Sequence, residues 1–140
     1  MELEEALSNA PLFRGLDRKD IRKIARAAKV VRYDTGHVII EEGSGGYGGM
    51  GVVLSGACSV TRSGKSLGDV KPGQVFGEMS LIDDRPRSAT VTASEPTEAA
   101  EISAWEFRSQ IKENPELALN LLKTMSMRLR EADRQLDPAD

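Results

Sequence analysis

The chain has 140 residues, 19 basic and 22 acidic, with a net charge of −3 and 39% hydrophobic side chains. That length fits one domain with a real core, and no basic tract announces itself, which argues against direct nucleic-acid binding. No apolar run reaches spanning length, the opening MELEEALSNA is acidic rather than signal-like, and the lone Cys58 excludes an internal disulfide framework. A cytoplasmic setting is therefore expected, with no membrane segment.

Residues 1–28 read as helical. Leu3, Ala6 and Leu7 make a short apolar stripe that Pro11-Leu12-Phe13 interrupts. Asp17 is the expected N-cap of the next helix, with Asp20 three positions on and Ile21, Ile24, Ala25 and Ala28 on one face.

From 29 to 103 the texture changes to short strands and turns. Residues 30–33, 37–40, 50–54, 58–62, 66–70, 88–93 and 98–103 read as β. Asp34-Thr35-Gly36, Ser55-Gly56, Ser63-Gly64 and Pro72-Gly73 punctuate them. Strands at this spacing predict an antiparallel jelly-roll β-barrel. Residues 43–56, GSGGYGGMGVVLSG, place glycine inside a strand, so a mobile or bulged hairpin is expected there.

The run at 76–91, FGEMSLIDDRPRSATV, has another character. Gly77 lets a ligand approach the backbone. One helical turn across Glu78-Met79-Ser80-Leu81 would offer free N–H groups to an anion. Arg87 supplies a permanent cation with a fork of donors suited to phosphate, and Ser88 a hydroxyl beside it. Glu78 suits a sugar hydroxyl rather than a phosphate. Together these residue types point to a ligand carrying both a phosphate and a ribose. A surface turn in which Arg87 pairs with Asp83 or Asp84 is the bland alternative. Arg85 is expected to be merely exposed.

Residues 104–137 return to helix. The first runs over 104–112 and stops near Asn114-Pro115, and Pro115 then opens a longer one. Along it Ala118, Leu122, Met125, Leu129, Ala132 and Leu136 alternate four- and three-residue steps, an a/d seam. Roughly 20 residues make a rod of about 30 Å, longer than one small barrel needs, and Pro138 ends it. The seam serves a homodimer, a lid or packing on the chain's own barrel; Arg128 and Arg130 are expected to be solvated, with approach to Glu78 or a base as the alternative. His37 reads as solvated or capped, and Cys58 as a small buried apolar residue. No metal cluster or catalytic constellation stands out, so no enzyme is expected.

The ordered set Phe76-Gly77-Glu78, Leu81 and Pro86-Arg87-Ser88-Ala89-Thr90-Val91, with Glu78 and Arg87 nine positions apart, resembles the phosphate-binding cassette of cyclic nucleotide-binding domains. These include protein kinase A regulatory domains, catabolite activators and cyclic-nucleotide-gated channels. Pro11-Leu12-Phe13-Arg14-Gly15-Leu16 is similar to the family's leading helices. The resemblance implies a single domain over 1–140, with N-terminal helices, a β-roll and C-terminal helices. It implies that Phe76, Gly77, Glu78, Met79, Ser80, Arg87, Ser88 and Ala89 hold the sugar-phosphate, while Val60 and Leu67 flank the purine. The implied ligand is cyclic AMP, with cyclic GMP the alternative, and no cofactor or metal. A moving C-terminal helix, a homodimer through it and an effector outside this chain are the implied partners. The chain departs from the family in two places: 43–56 is one residue longer, and Ala132 stands where catabolite activators carry a base-contacting hydroxyl. A degenerate fold used for dimerisation or docking, and a cupin-type enzyme, are the competing classes. The second lacks the necessary histidines.

Overall fold

A computed structural model describes residues 2–45, 49–78, 81 and 85–136. Three helical pieces lead: α1 (Leu3–Asn9), a 3-10 turn (Pro11–Phe13) and α2 (Arg18–Ala27). Asp17 caps α2 as expected, its side chain accepting from the Asp20 N–H at 3.0 Å. Ile21 and Ile24 of α2 are buried.

Eight strands follow: β1 (Lys29–Tyr33), β2 (Val38–Ile40), β3 (Met50–Ser55), β4 (Cys58–Arg62), β5 (Lys65–Val70), β6 (Val75–Phe76), β7 (Thr90–Ala93) and β8 (Thr97–Ile102). They form two four-stranded sheets ordered β1-β8-β3-β6 and β2-β7-β4-β5, and every described pairing is antiparallel. The expected jelly roll is present as two facing sheets rather than a closed barrel. Two elements differ from the sequence reading. The two-residue β6 is too short to leave a period-2 signature, and the strand expected to open at Ser88 begins at Thr90.

Val53, Cys58, Val70, Phe76, Val91 and Ala99 fill the space between the sheets. Cys58 is fully buried, which pushes its thiol pKa up. A second core lies under the helices, joining Leu7, Leu12, Phe13, Ile24, Met50, Val52, Ile102, Phe107, Leu117 and Leu121.

At Gly49 and Gly51 the chain entering β3 is closely packed. Met50 through Val53 pair in unbroken register with β8, and the strand is buried from Met50 to Leu54. A Cβ on Gly51 would lie 2.2 Å from the Phe76 ring, and one on Gly49 would lie 1.8 Å from the Ile102 carbonyl oxygen. Glycine stands here because neighbours occupy the side-chain space. A register shift does fall within 43–56, between Val53 and Ser55 and so after the glycines, while residues 46–48 lie outside the described residues.

Two helices close the chain, α3 (Ala104–Glu113) and α4 (Pro115–Leu136). Ser103 caps α3 by accepting from the Glu106 N–H. The Asn114 side chain accepts from the Glu116 N–H, so the break and restart at Asn114-Pro115 are both satisfied. Asn120, buried on α4, donates to the carbonyls of Leu12 (3.2 Å) and Arg14 (2.7 Å), tying the long helix to the leading segment.

Candidate functional site

The end of β6 aims the chain into the site. Phe76 is buried, and Gly77 follows at φ +78°, a conformation strained for any residue with a Cβ. That Cβ would also lie 3.0 Å from the Gly49 carbonyl oxygen and 3.2 Å from an Arg87 nitrogen. Glycine is therefore required on two counts, and close approach to Arg87 is one of them.

Arg87 is only 8% exposed. Its guanidinium donates to the carbonyls of Gly77 (3.1 Å) and Gly49 (2.8 Å). Its backbone clamps the loop after β2: the Arg87 N–H donates to Ser44, and the Gly43 N–H donates to Arg87. Among the described residues no carboxylate pairs with it, and Asp83 and Asp84 lie outside them. Burial pulls its pKa down from the ordinary arginine value. A buried cation held by dipoles alone is an incomplete electrostatic arrangement, and an anion completes it.

Glu78 is buried to 1%, and its carboxylate oxygens accept no hydrogen bond among the described residues. Burial pushes its pKa up, and the cation opposing that shift is Arg128 of α4, which pairs directly with the carboxylate. Arg128 keeps a side chain 47% exposed and still reaches Glu78, the approach named as the alternative to solvation, while Arg130 is exposed as expected. Helical spacing carried a signal for this: Leu117, Leu121, Thr124 and Arg128 fall on one stripe, and the first two are buried.

The other anticipated residues are less tightly gathered. Ser88 is exposed and its carbonyl accepts from Arg62 Nε at 2.8 Å; Ala89 is half-buried. Val60 is half-buried on β4 opposite Val91. Leu67 is the extra residue of a bulge facing Val60 and Thr61, and it is 52% exposed. Clefts of about 380 and 460 Å³ share Arg87 as a wall, with Ile39 and Ile40 in both. Val60, Leu67 and Ser88 stand outside both clefts. Met79 and Ser80 lie outside the described residues, although the Leu81 N–H does bond to the Glu78 carbonyl at 3.2 Å. The Gly49 carbonyl is the partner that sequence reasoning missed, because a backbone acceptor leaves no mark on residue type.

The α4 residues that face the core, Leu117 and Leu121, lie beside the expected seam rather than in it; of the seam itself Ala118 is half-buried, Leu122 is 65% and Leu129 63% exposed, and Ala132 is exposed with them. Met125 is half-buried between the two faces, and nothing is described of the Leu136 side chain. Among the described residues no helix is long and apolar enough to cross a membrane, and no group of metal ligands is gathered.

A profile of the cyclic nucleotide-binding domain matches residues 30–114. The chain belongs to that family. It is 32% identical to the cyclic AMP receptor protein of Thermus thermophilus over 136 residues, which cover 94% of this chain and 62% of that protein. The crystal structure of the Thermus thermophilus catabolite activator protein superposes with a TM-score of 0.84 at 33% identity, over 91% of this chain and 62% of that one. The regulatory domain of Toxoplasma gondii protein kinase A, solved with cAMP, gives 0.72 at 29% identity over 79% and 44% of the two chains. The chain thus spans less than two thirds of each of these relatives. The relatives named here are regulatory proteins rather than catalysts.

Proposed function

We propose that this chain is a cyclic AMP sensor whose cyclic phosphate pairs with Arg87 and whose ribose 2′-hydroxyl donates to Glu78. The observation that carries the reading is the pairing of opposites: a buried guanidinium held, among the described residues, by carbonyls alone, one of them that of Gly77, and a buried carboxylate on the next residue, Glu78, whose described partner is Arg128 of α4. One lacks an anion, and the other has acceptor capacity for a hydroxyl. Backbone N–H groups of Gly77 to Ser80 and the Ser88 hydroxyl complete the phosphate shell in this reading. Val60 and the bulged Leu67 flank the purine. Relatives named for cyclic AMP support that base over cyclic GMP.

The Arg128–Glu78 pair supports a relay. A ribose hydroxyl entering Glu78's environment must share or displace Arg128, so occupancy is felt by α4 directly. Nucleotide then favours one placement of that helix over another, a population shift. The exposed Leu122 and Leu129 support a second element of the reading, a homodimer through α4. The output passes to a module or partner beyond this domain in a cytoplasmic pathway, and no reaction is assigned to the chain itself.

Calorimetric titration with cyclic AMP and cyclic GMP tests the reading. Binding of cyclic AMP tighter than cyclic GMP is expected. Failure of both to bind below millimolar concentration would sink it and favour a docking module.

A further inference from the structure

Charge is distributed very unevenly along this acidic chain. Residues 14–32 hold eight of the 19 basic and two of the 22 acidic side chains, so that segment carries +6 while the remainder carries −9. The fold turns this segmental bias into a surface. Ile21 and Ile24 bury one side of α2, and Arg18, Lys19, Arg22 and Arg26 all fall on the opposite side, all exposed. At about 100° per residue the four span a face roughly 100° wide. Lys23 also lies there but is engaged by Glu113 at 3.3 Å. Among the described residues no carboxylate pairs with the other four. Asp17 and Asp20 are spent on the cap and on Asn114.

We propose that this α2 face is a docking surface for a nucleic-acid phosphate backbone, separate from the nucleotide site. Arg18, Arg22 and Arg26 repeat every fourth residue, placing cations about 6 Å apart along the axis. Such a ladder suits a polymer with a regularly repeated charge, because each rung finds a phosphate without a matched acidic cluster opposite. Arginine predominates, the residue whose planar fork pairs with phosphate oxygens two at a time. The contacts proposed are to phosphates, which every sequence carries alike, so binding is sequence-independent. It holds no exposed apolar side chain to insert into lipid, which sets it apart from a membrane-surface helix. Whole-chain charge conceals the site, since the acidic remainder cancels it.

The test is a fluorescence-anisotropy titration of the whole chain against a random-sequence DNA duplex of about 20 base pairs, between about 50 and 200 mM salt. Four phosphate contacts predict about a hundredfold loss of affinity across that range; Arg18→Ala/Arg22→Ala/Arg26→Ala leaves one contact and about a threefold loss. Lys65→Ala/Lys71→Ala, removing two exposed lysines elsewhere, serves as a charge control and should retain the steep dependence. All three substituted arginines are exposed, so an unchanged urea midpoint is expected and confirms that the variant is folded. The proposal is overturned by absence of binding at low salt, by an unchanged slope in the folded triple variant, or by equal weakening in the lysine control. It is equally overturned if phosphatidylglycerol vesicles or polyglutamate bind this face and DNA does not.

Discussion

Arg87→Ala separates a ligand-binding cation from a structural clamp. The substitution removes donors to Gly77 (3.1 Å) and Gly49 (2.8 Å). Hydrogen bonds from a charged group are worth about 1.5–3 kcal/mol each, and losing two such bonds in isolation would be severe. Burial opposes that loss. The depressed pKa of Arg87 records a desolvation cost that truncation recovers, and the two effects partly cancel. A net change in folding stability of about 1–2 kcal/mol or less is expected. Nucleotide binding has no such offset, because the phosphate loses its only cation in the described part of the site. Stripping one partner from a buried pair costs about 2–4 kcal/mol here, or roughly 30- to 700-fold in affinity at 1.4 kcal/mol per tenfold. Calorimetry measures the affinity and urea denaturation the stability. An affinity loss below about tenfold would refute the phosphate assignment. A stability loss as large as the binding loss would show that Arg87 is a clamp first.

Three further outcomes follow from the same geometry. Because burial raises the pKa of Glu78, the native state holds that proton more tightly than the unfolded chain. Its contribution to stability is full below the ordinary carboxylate range and is lost as pH rises through the raised value. Glu78→Gln should flatten that part of the stability–pH curve and reduce a roughly tenfold or greater preference for cyclic AMP over its 2′-deoxy analogue, because the amide oxygen still accepts but without charge; a persisting slope would mean that another group titrates, and an undiminished preference counts against the ribose assignment. Gly51→Ala drives a methyl toward the Phe76 ring and should cost about 1–3 kcal/mol by urea denaturation; a negligible cost would mean that the ring moves aside freely. Leu122→Asp/Leu129→Asp should give a folded monomer by sedimentation, with native circular dichroism and a thermal midpoint that no longer depends on protein concentration, since both side chains are exposed in the single chain; a dimer that survives places the interface elsewhere.

The local readings that carried over were those written in short-range chemistry. The cap at Asp17, the break at Asn114-Pro115 and the strand runs depend on residues within a few positions of one another. The cassette was legible because Gly77, Glu78 and Arg87 lie close in sequence and each has a distinctive chemistry. Gly49 and Gly51 were misread for the opposite reason. Glycine in a strand looks like weakness until the Phe76 ring and the Ile102 carbonyl appear in the space a Cβ would fill. The α4 seam was drawn by its period through Leu122 and Leu129, but period cannot say that the domain covers the neighbouring line of Leu117 and Leu121 instead.

By itself, then, the sequence determined the elements and the chemical inventory of the site, through propensity, capping and residue type. Tertiary structure decided which groups meet. It gave Arg87 two carbonyls, closed Arg128 from 50 residues away onto Glu78, and left Leu122 and Leu129 outside while burying Leu117 and Leu121. It also buried Ile21 and Ile24 of α2, which leaves the helix's arginine-rich face outward. Burial and long-range proximity are properties of the packed chain, and packing turns a buried carboxylate and a buried guanidinium from composition into a site.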